Sequence, residues 1–362
     1  MTGIDLLRWS QEGILVKLHT SATDLLLDTY SVLCQRELSA TIILSHALEF
    51  SQAESERLHA YRRERNGAQI KLSCGRASEC RTADRNFWLT VWTTSNPKQE
   101  SSELQLVLSC LTGHLGDYPV FLWSSDLPDS TGGDKLHSHL RALQVALLDV
   151  IPPDRIFSVF GRSDLVRGFQ EAWVARTGFI EEPEPFYEAL LTFCTKDTFT
   201  SSTPPECTRG TIHKAESTDL PSVSTLCKEF ADTSIYFPLT QEKARQEAQW
   251  LVDRKAVWIY GIGREAVSIC AVSRQSDNVA VLTKVYTTPR WRRKGFAEAL
   301  VRAVTEEMLK KKQHVVLYVG IHNDAQHIYD RIGYVGLCGK TRPIGVEDVL
   351  EIGFCDTKRG HW

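Results

Sequence analysis

What this chain of 362 residues lacks narrows it first. No apolar run reaches the roughly 18 residues that a bilayer-spanning helix needs. Residues 1–30 hold Asp5, Glu12, Asp24 and Asp28 where a secretory leader would run from basic to apolar to small. The expectation is a soluble, cytoplasmic protein with no membrane partner. An excess of either charge is also missing: 42 Lys and Arg against 45 Asp and Glu leave a net charge of −3, so nothing global draws the chain to nucleic acid. The 10 cysteines form no Cys-x-x-Cys and no paired Cys/His spacing, which argues against a zinc site or a disulfide framework. Cys110, Cys194, Cys227 and Cys270 sit in apolar stretches and read as buried thiols of a reducing compartment. His137 and His139, metal-like in isolation, read as an exposed helix start. No metal is expected.

What is present concentrates in residues 285–297, Val-Tyr-Thr-Thr-Pro-Arg-Trp-Arg-Arg-Lys-Gly-Phe-Ala. Before them, Val279 to Tyr286 is apolar and β-branched, as a buried strand is. After them, Ala297, Leu300, Val301, Val304 and Met308 recur at helical spacing. Between the two, Gly295 lets backbone approach a ligand closely, and the first helical N–H groups have no partner within the helix. Such a terminus attracts an anion. Arg290, Arg292, Arg293 and Lys294 add cationic side chains suited to phosphate. The plain alternative is a solvated basic turn.

Arg292-Arg293-Lys294-Gly295-Phe296-Ala297 resembles the Gln/Arg-x-x-Gly-x-Gly/Ala signature of the GCN5-related N-acetyltransferase (GNAT) superfamily. A second block follows at the family's spacing, a strand from Val315 to Val319 and then Ile321 to Tyr334, ending Ile328-Tyr329-Asp330-Arg331-Ile332-Gly333-Tyr334. The resemblance covers the chain from Thr211 onward. It implies an α/β fold: a mixed, mostly antiparallel sheet flanked by helices, splayed between its fourth and fifth strands. It also implies acetyl-coenzyme A as co-substrate, its diphosphate on Arg292, Arg293, Lys294, Gly295, Phe296 and Ala297, and its pantetheine arm against Val285, Tyr286 and Thr287. Tyr329 aligns with the tyrosine that protonates the leaving sulfur in many relatives, although a core aromatic is the plain alternative. Where relatives carry an Asn, this chain has His322 with Asn323 one step later, and Ala325 keeps register; either His322 or a shifted Asn323 takes that contact. Arg293 stands where Gly is frequent.

Residues 87–94, 104–111 and 120–124 read as strands, then a helix from His137 to Val150, and residues 154–194 repeat the strand, helix, Gly-aromatic, strand order of residues 315–354. This predicts a tandem GNAT fold: a degenerate domain at 1–200 and a catalytic one at 208–362, joined through Ser201-Ser202-Thr203-Pro204-Pro205. In the first copy the phosphate loop is replaced by residues 125–136, with Asp126, Asp129 and Asp134 and the single base Lys135, and no coenzyme is expected there.

The resemblance implies an acetyltransferase acting by direct transfer on a primary amine of a small molecule or amino-acid derivative, as a monomer or homodimer. A protein or peptide lysine or N-terminus is the alternative acceptor. A catalytically inactive acyl-coenzyme A binding scaffold is the alternative of another class. The general base stays open among Glu229, Asp232, His322 and Glu351, with Lys284 and Tyr286 on the fourth strand. Tyr236 and Phe237 read equally as substrate contacts or packing.

Overall fold

The computed structural model describes residues 8–11, 13–65, 86–94, 102–126, 133–201, 210–263 and 265–361. The core of the acidic loop, 127–132, and the Ser/Pro segment 202–209 lie outside the described residues. The first half runs β1 (Arg8–Gln11), β2 (Ile14–His19), α1 (Ala22–Gln35), α2 (Thr41–Arg65), β3 (Phe87–Thr94), β4 (Ser102–Cys110), β5 (Thr112–Gly113), β6 (Gly116–Asp117), β7 (Val120–Ser124), α3 (Gly133–Val150), β8 (Ser158–Arg162), α4 (Ser163–Thr177) and β9 (Tyr187–Thr195). The second runs β10 (Thr211–Lys214), α5 (Leu220–Ala231), α6 (Gln241–Asp253), β11 (Val257–Ile262), β12 (Glu265–Gln275), β13 (Val279–Thr287), α7 (Phe296–Leu309), β14 (His314–Gly320), α8 (Gln326–Ile332) and β15 (Glu347–Gly353). One order, a strand, two helices, three strands, helix, strand, helix, strand, occurs twice. The repeat read from residues 87–194 therefore extends back through β2, α1 and α2, and β1 and the short β5–β6 ladder are additions.

Local chemistry sets the ends of these elements. Ser21 Oγ accepts from Asp24 N at the start of α1 and Thr240 Oγ1 accepts from Lys243 N at the start of α6, each satisfying an N–H the helix cannot. α4 and α8 stop at Gly178 and Gly333, both left-handed.

Among the described residues, 13 strands form one sheet in the order β1-β2-β3-β4-β7-β8-β15-β9-β14-β13-β12-β11-β10. Only β7–β8 and β13–β14 are parallel neighbours. The last strand of each half has crossed over. β9 pairs with β14, from Thr195↔His314 to Ala189↔Gly320, and β15 lies between β8 and β9. The tandem halves thus share one sheet instead of closing two.

Alternation along the strands divides the core between two faces. α3 and α4 cover one face over Leu350 and Ile352, and α7 and α8 continue it over Leu190, Val315 and Leu317. On the opposite face α1 and α2 pack over Ala189, Leu191, Val316 and Val349, and α5 and α6 continue over Ile269 and Ala271. Cys110, Cys194, Cys227 and Cys270 are buried, as their apolar settings imply. His139 departs from the exposed helix start expected of it: it is 2 % exposed, because it falls one position before Leu140 on the core side of α3.

Burial also pushes three other histidines down. His19 falls from 6.5 to about 4, His46 to about 3 beside Arg274, and His361 to about 4 near Lys284. Each folded value lies below the unfolded one, so the unfolded chain binds protons first on acidification. Stability is then complete above about pH 6.5 and is lost as the pH falls toward the folded values. For His19 and His361 the loss is roughly 3 kcal/mol each. Urea midpoints are expected to drop steeply between pH 6.5 and 4; a flat profile there would show these rings protonated in the fold.

Candidate active site

β13 pairs with β14 only from Val279↔His314 to Leu282↔Leu317. Beyond that, β13 stays with β12 as far as Thr287↔Ser268, and β14 stays with β9 as far as Gly320↔Ala189. The two strands diverge, which is the splay expected between the fourth and fifth strands. The β12–β13 ladder shifts register at this point, skipping Ser273 and Thr283, whose hydroxyls lie 2.8 Å apart. A bulge re-aims the side chains that follow it. Here it turns Lys284 to the face of α5 and α6, while Val285 packs toward α7 and Tyr286 returns to the α5 side against Phe230.

After Thr287 the chain makes a short 3₁₀ turn, Pro289–Trp291, then enters α7 through two left-handed residues, Arg293 (φ 59) and Gly295 (φ 79). The preference for Gly at the Arg293 position has its reason in that dihedral; a non-glycine residue there costs about 1–2 kcal/mol. Arg292 Nε donates to Thr287 O at 3.0 Å and its guanidinium lies over the Tyr286 ring. Lys294 Nζ lies 4.4 Å from the Trp291 ring centroid, and Arg290 pairs with Glu265. Gly295 is the N-cap of α7 and offers no side chain to it. The N–H groups of Phe296, Ala297 and Glu298 therefore face outward at the positive end of the helix dipole.

On the α5–α6 face, the gap opens into a cavity of about 520 Å³ walled by both halves. Leu282, Thr283 and Lys284 border it from β13, Tyr318 from β14, Tyr187 from β9 and Glu351 from β15. Asn323 reaches it and His322 does not; His322 and Asn323 also border an open cleft with Glu184–Glu188. Asn323 Oδ1 accepts from Ala325 N at 2.9 Å, which fixes the turn into α8. Tyr329 is 7 % exposed and packs edge-on to Tyr334. Burial, with Cys270 and Tyr187 nearby, pushes its phenol well above the ordinary range. Tyr236 and Phe237 border the cavity and pack on Phe186.

Of the base candidates, Lys284 and Glu351 reach the cavity. Ser158 Oγ donates to Glu351 Oε1 at 2.7 Å. Glu229 lies beside Tyr286, and Asp232 is held at the surface by Lys228. One buried carboxylate in the wall is a residue that sequence reading passed over. Glu247, 2 % exposed, accepts from Lys284 Nζ at 2.8 Å and lies 2.5 Å from His114 Nε2. Burial raises a carboxyl, but Lys284 and His114 outweigh it and hold Glu247 at about 2. The signal for it was a carboxylate within the apolar stripe Ala244, Ala248, Leu251 of α6. Arg274, whose guanidinium burial pushes down, completes the wall among Tyr118, Tyr187 and Tyr318. Among the described residues no group of His, Cys, Asp and Glu is placed to hold a metal ion, and no helix is long and apolar enough to cross a membrane.

In the first half the corresponding strands, β7 and β8, leave a void of only about 20 Å³ beside Leu122 and Gly161. β7 and β8 pair only from Val120↔Val159 to Leu122↔Gly161 and then part as their counterparts do, but a side chain at Gly161 would meet Leu122 O at 2.4 Å, which leaves little room at that point.

Residues 259–342 match the family model described as FR47-like protein. No curated protein matches the chain. Among solved structures, a Drosophila protein superimposes with a TM-score of 0.54 at 15% identity, covering 98% of this chain and 100% of its own. A GCN5-related N-acetyltransferase from Sphaerobacter thermophilus gives 0.49 at 13% identity over 96% and 97%. A tandem GNAT protein from the clavulanic acid biosynthesis pathway gives 0.44 at 11% identity over 76% and 84%. The first of these shows a fold shared along the whole chain.

Proposed function

We propose that this chain, which has the GNAT fold in tandem, is an acetyl-coenzyme A dependent N-acetyltransferase acting on a primary amine of a small molecule or amino-acid derivative by direct transfer. The observation that carries the reading is the parting of β13 from β14 between an anion-attracting helix start and a cavity of about 520 Å³. That volume suits a small acceptor. Val285 to Thr287 have no strand partner on their β14 side among the described strands, so the pantetheine arm can lie there as an added strand would, with Thr287 O already accepting from Arg292 Nε. The N–H groups at Phe296 and Ala297, with Arg292, Arg293 and Lys294 around them, fit the diphosphate. The co-substrate supplies an acyl group activated by a thiolate leaving group. The first half is read as holding no coenzyme, which the void of only about 20 Å³ beside Leu122 and Gly161 supports.

Tyr329 is the proposed donor to the departing sulfur. Its raised phenol is a weaker acid, and Tyr329 belongs to the core under α7 and α8, where Val285 also packs, without bordering the cavity, so the donation requires the sulfur to be held on that face of the gap. Acetyl-coenzyme A is to be offered with primary amines graded in size and charge while free thiol is followed. Amine-dependent release is expected. Tyr329→Phe is expected to lower kcat by about 100-fold or more and leave coenzyme affinity unchanged. Unchanged turnover in that variant would remove Tyr329 from the mechanism. Coenzyme binding without thiol release for any amine would favour the scaffold reading.

A further inference from the structure

The first half sends a side chain into this cavity that the reading above leaves without a task. His114 occupies the turn between β5 and β6, and the second half holds that turn at several points. Leu115 packs with Ala231, Leu239 and Ala244, and Lys243 Nζ donates to Leu115 O at 3.1 Å. The His114 ring stacks on Trp250 with centroids 4.5 Å apart and planes 2° from parallel.

Glu247 fixes the tautomer. An ionised carboxylate accepts and does not donate, so Nε2, 2.5 Å from Glu247 Oε2, carries the hydrogen. Nδ1 is then the ring nitrogen left to take up a proton. Through the other carboxylate oxygen Glu247 is tied to Lys284, which stands where β13 leaves β14. His114 borders this inner cavity and also an outer cleft of about 650 Å³ between Glu242 and Arg254. The imidazole thus stands between the inner cavity and the outer cleft.

We propose that His114 is the general base of the site, contributed by the half that holds no coenzyme, with Glu247 as its positioning residue. The assignment rests on the acyltransferase reading. The acceptor's ammonium gives one proton to Nδ1. The free amine bonds the acyl carbon, the carbon–sulfur bond breaks with its electron pair on sulfur, and the second amine proton is balanced by the one that the sulfur receives. One proton per turnover leaves through His114 to the outer cleft. The neighbouring candidates are otherwise engaged: Lys284 donates to Glu247, Glu351 accepts from Ser158, and Glu247 at about 2 is too weak a base for an ammonium.

The test compares, in the full chain with acetyl-coenzyme A, ethanolamine, which is protonated at neutral pH, and methoxyamine, which is not. His114→Gln is expected to lose about 100-fold or more of kcat with ethanolamine and less than about threefold with methoxyamine. Coenzyme affinity should not change. His114→Ala should regain turnover when imidazole is added, and Glu247→Asp should keep more activity than Glu247→Ala. Equal losses with both amines, or none, or no rescue by imidazole would leave His114 as a packing residue and overturn the assignment. Absence of turnover by the unaltered chain with every amine would instead overturn the acyltransferase reading.

Discussion

Residues 208–362, produced without the preceding part of the chain, are expected to remain unfolded or to aggregate, although they contain the whole proposed coenzyme site. Without β9, the β14 edge from His314 to Gly320 is left bare. Without β8 and β9, β15 has no neighbour on either side. The core over α7 and α8 also loses Leu190 and Cys194. Residues 196–200 fasten the same region, because Thr200 N donates to Ile332 O at 2.9 Å and Arg302 bonds Thr200 O. Gly333, at φ +112, lies so close to Thr198 O that a Cβ there would approach to 2.0 Å. An unpaired apolar strand edge invites pairing with other chains. Circular dichroism and chemical-shift dispersion read the outcome directly. Co-production with residues 1–200 is expected to restore the folded state in trans. A cooperative, well-dispersed 208–362 fragment would show that the exchanged strands are dispensable.

Gly295→Val is expected to cost the protein its coenzyme and leave its fold intact. The position is left-handed, which a β-branched residue adopts only with strain of about 1–3 kcal/mol. A loop that relieves this strain moves the first N–H groups of α7 off the anion. A loss of about 10–100-fold in affinity for coenzyme A by calorimetry follows from that strain alone, and more if the added methyl groups meet the diphosphate. The paired variant Arg293→Gly should behave oppositely, since φ 59 costs glycine nothing. It is expected to hold or improve thermal stability and to lose only a side-chain contact with phosphate. Equal affinities for Gly295→Val and the unaltered chain would remove the loop from the coenzyme site.

Much of this arrangement was legible in the residues because it is local. A strand followed by a Gly-containing basic turn and an amphipathic helix dictates its own geometry, and residues 279–309 fold as that reading implies. The strands at 87–94 and 120–124 likewise announce themselves by β-branched and aromatic content. The exchange of β9 and β15 was not legible. An apolar run identifies Tyr187–Thr195 as a strand but says nothing about which edge it joins, since the open edges of β8 and β14 accept the same pattern. Glu247 was hidden by its spacing. It sits where the stripe of α6 calls for an apolar residue, and only the approach of Lys284 from another strand and His114 from the other half explains a carboxylate there. His114 carries no periodic signal at all, being one residue of a turn between two-residue strands. His322 and Asn323 are both exposed and differ by the turn: Asn323 accepts from Ala325 N and borders the cavity, while His322 borders the open cleft beside Glu184–Glu188.

The crossing of β15 into the first half also sets a timetable for the chain. During synthesis residues 1–200 emerge complete in composition but cannot complete their sheet, because the neighbour of β8 is the strand at Glu347–Gly353. β8 and β9 must wait with open edges while about 150 further residues are made, at about 5–20 residues per second. The pairs joining Ser158 to Gly353 and Arg162 to Val349 span about half the chain, and contacts of such sequence separation slow folding. Refolding from denaturant is therefore expected to end in one late phase in which both halves close together.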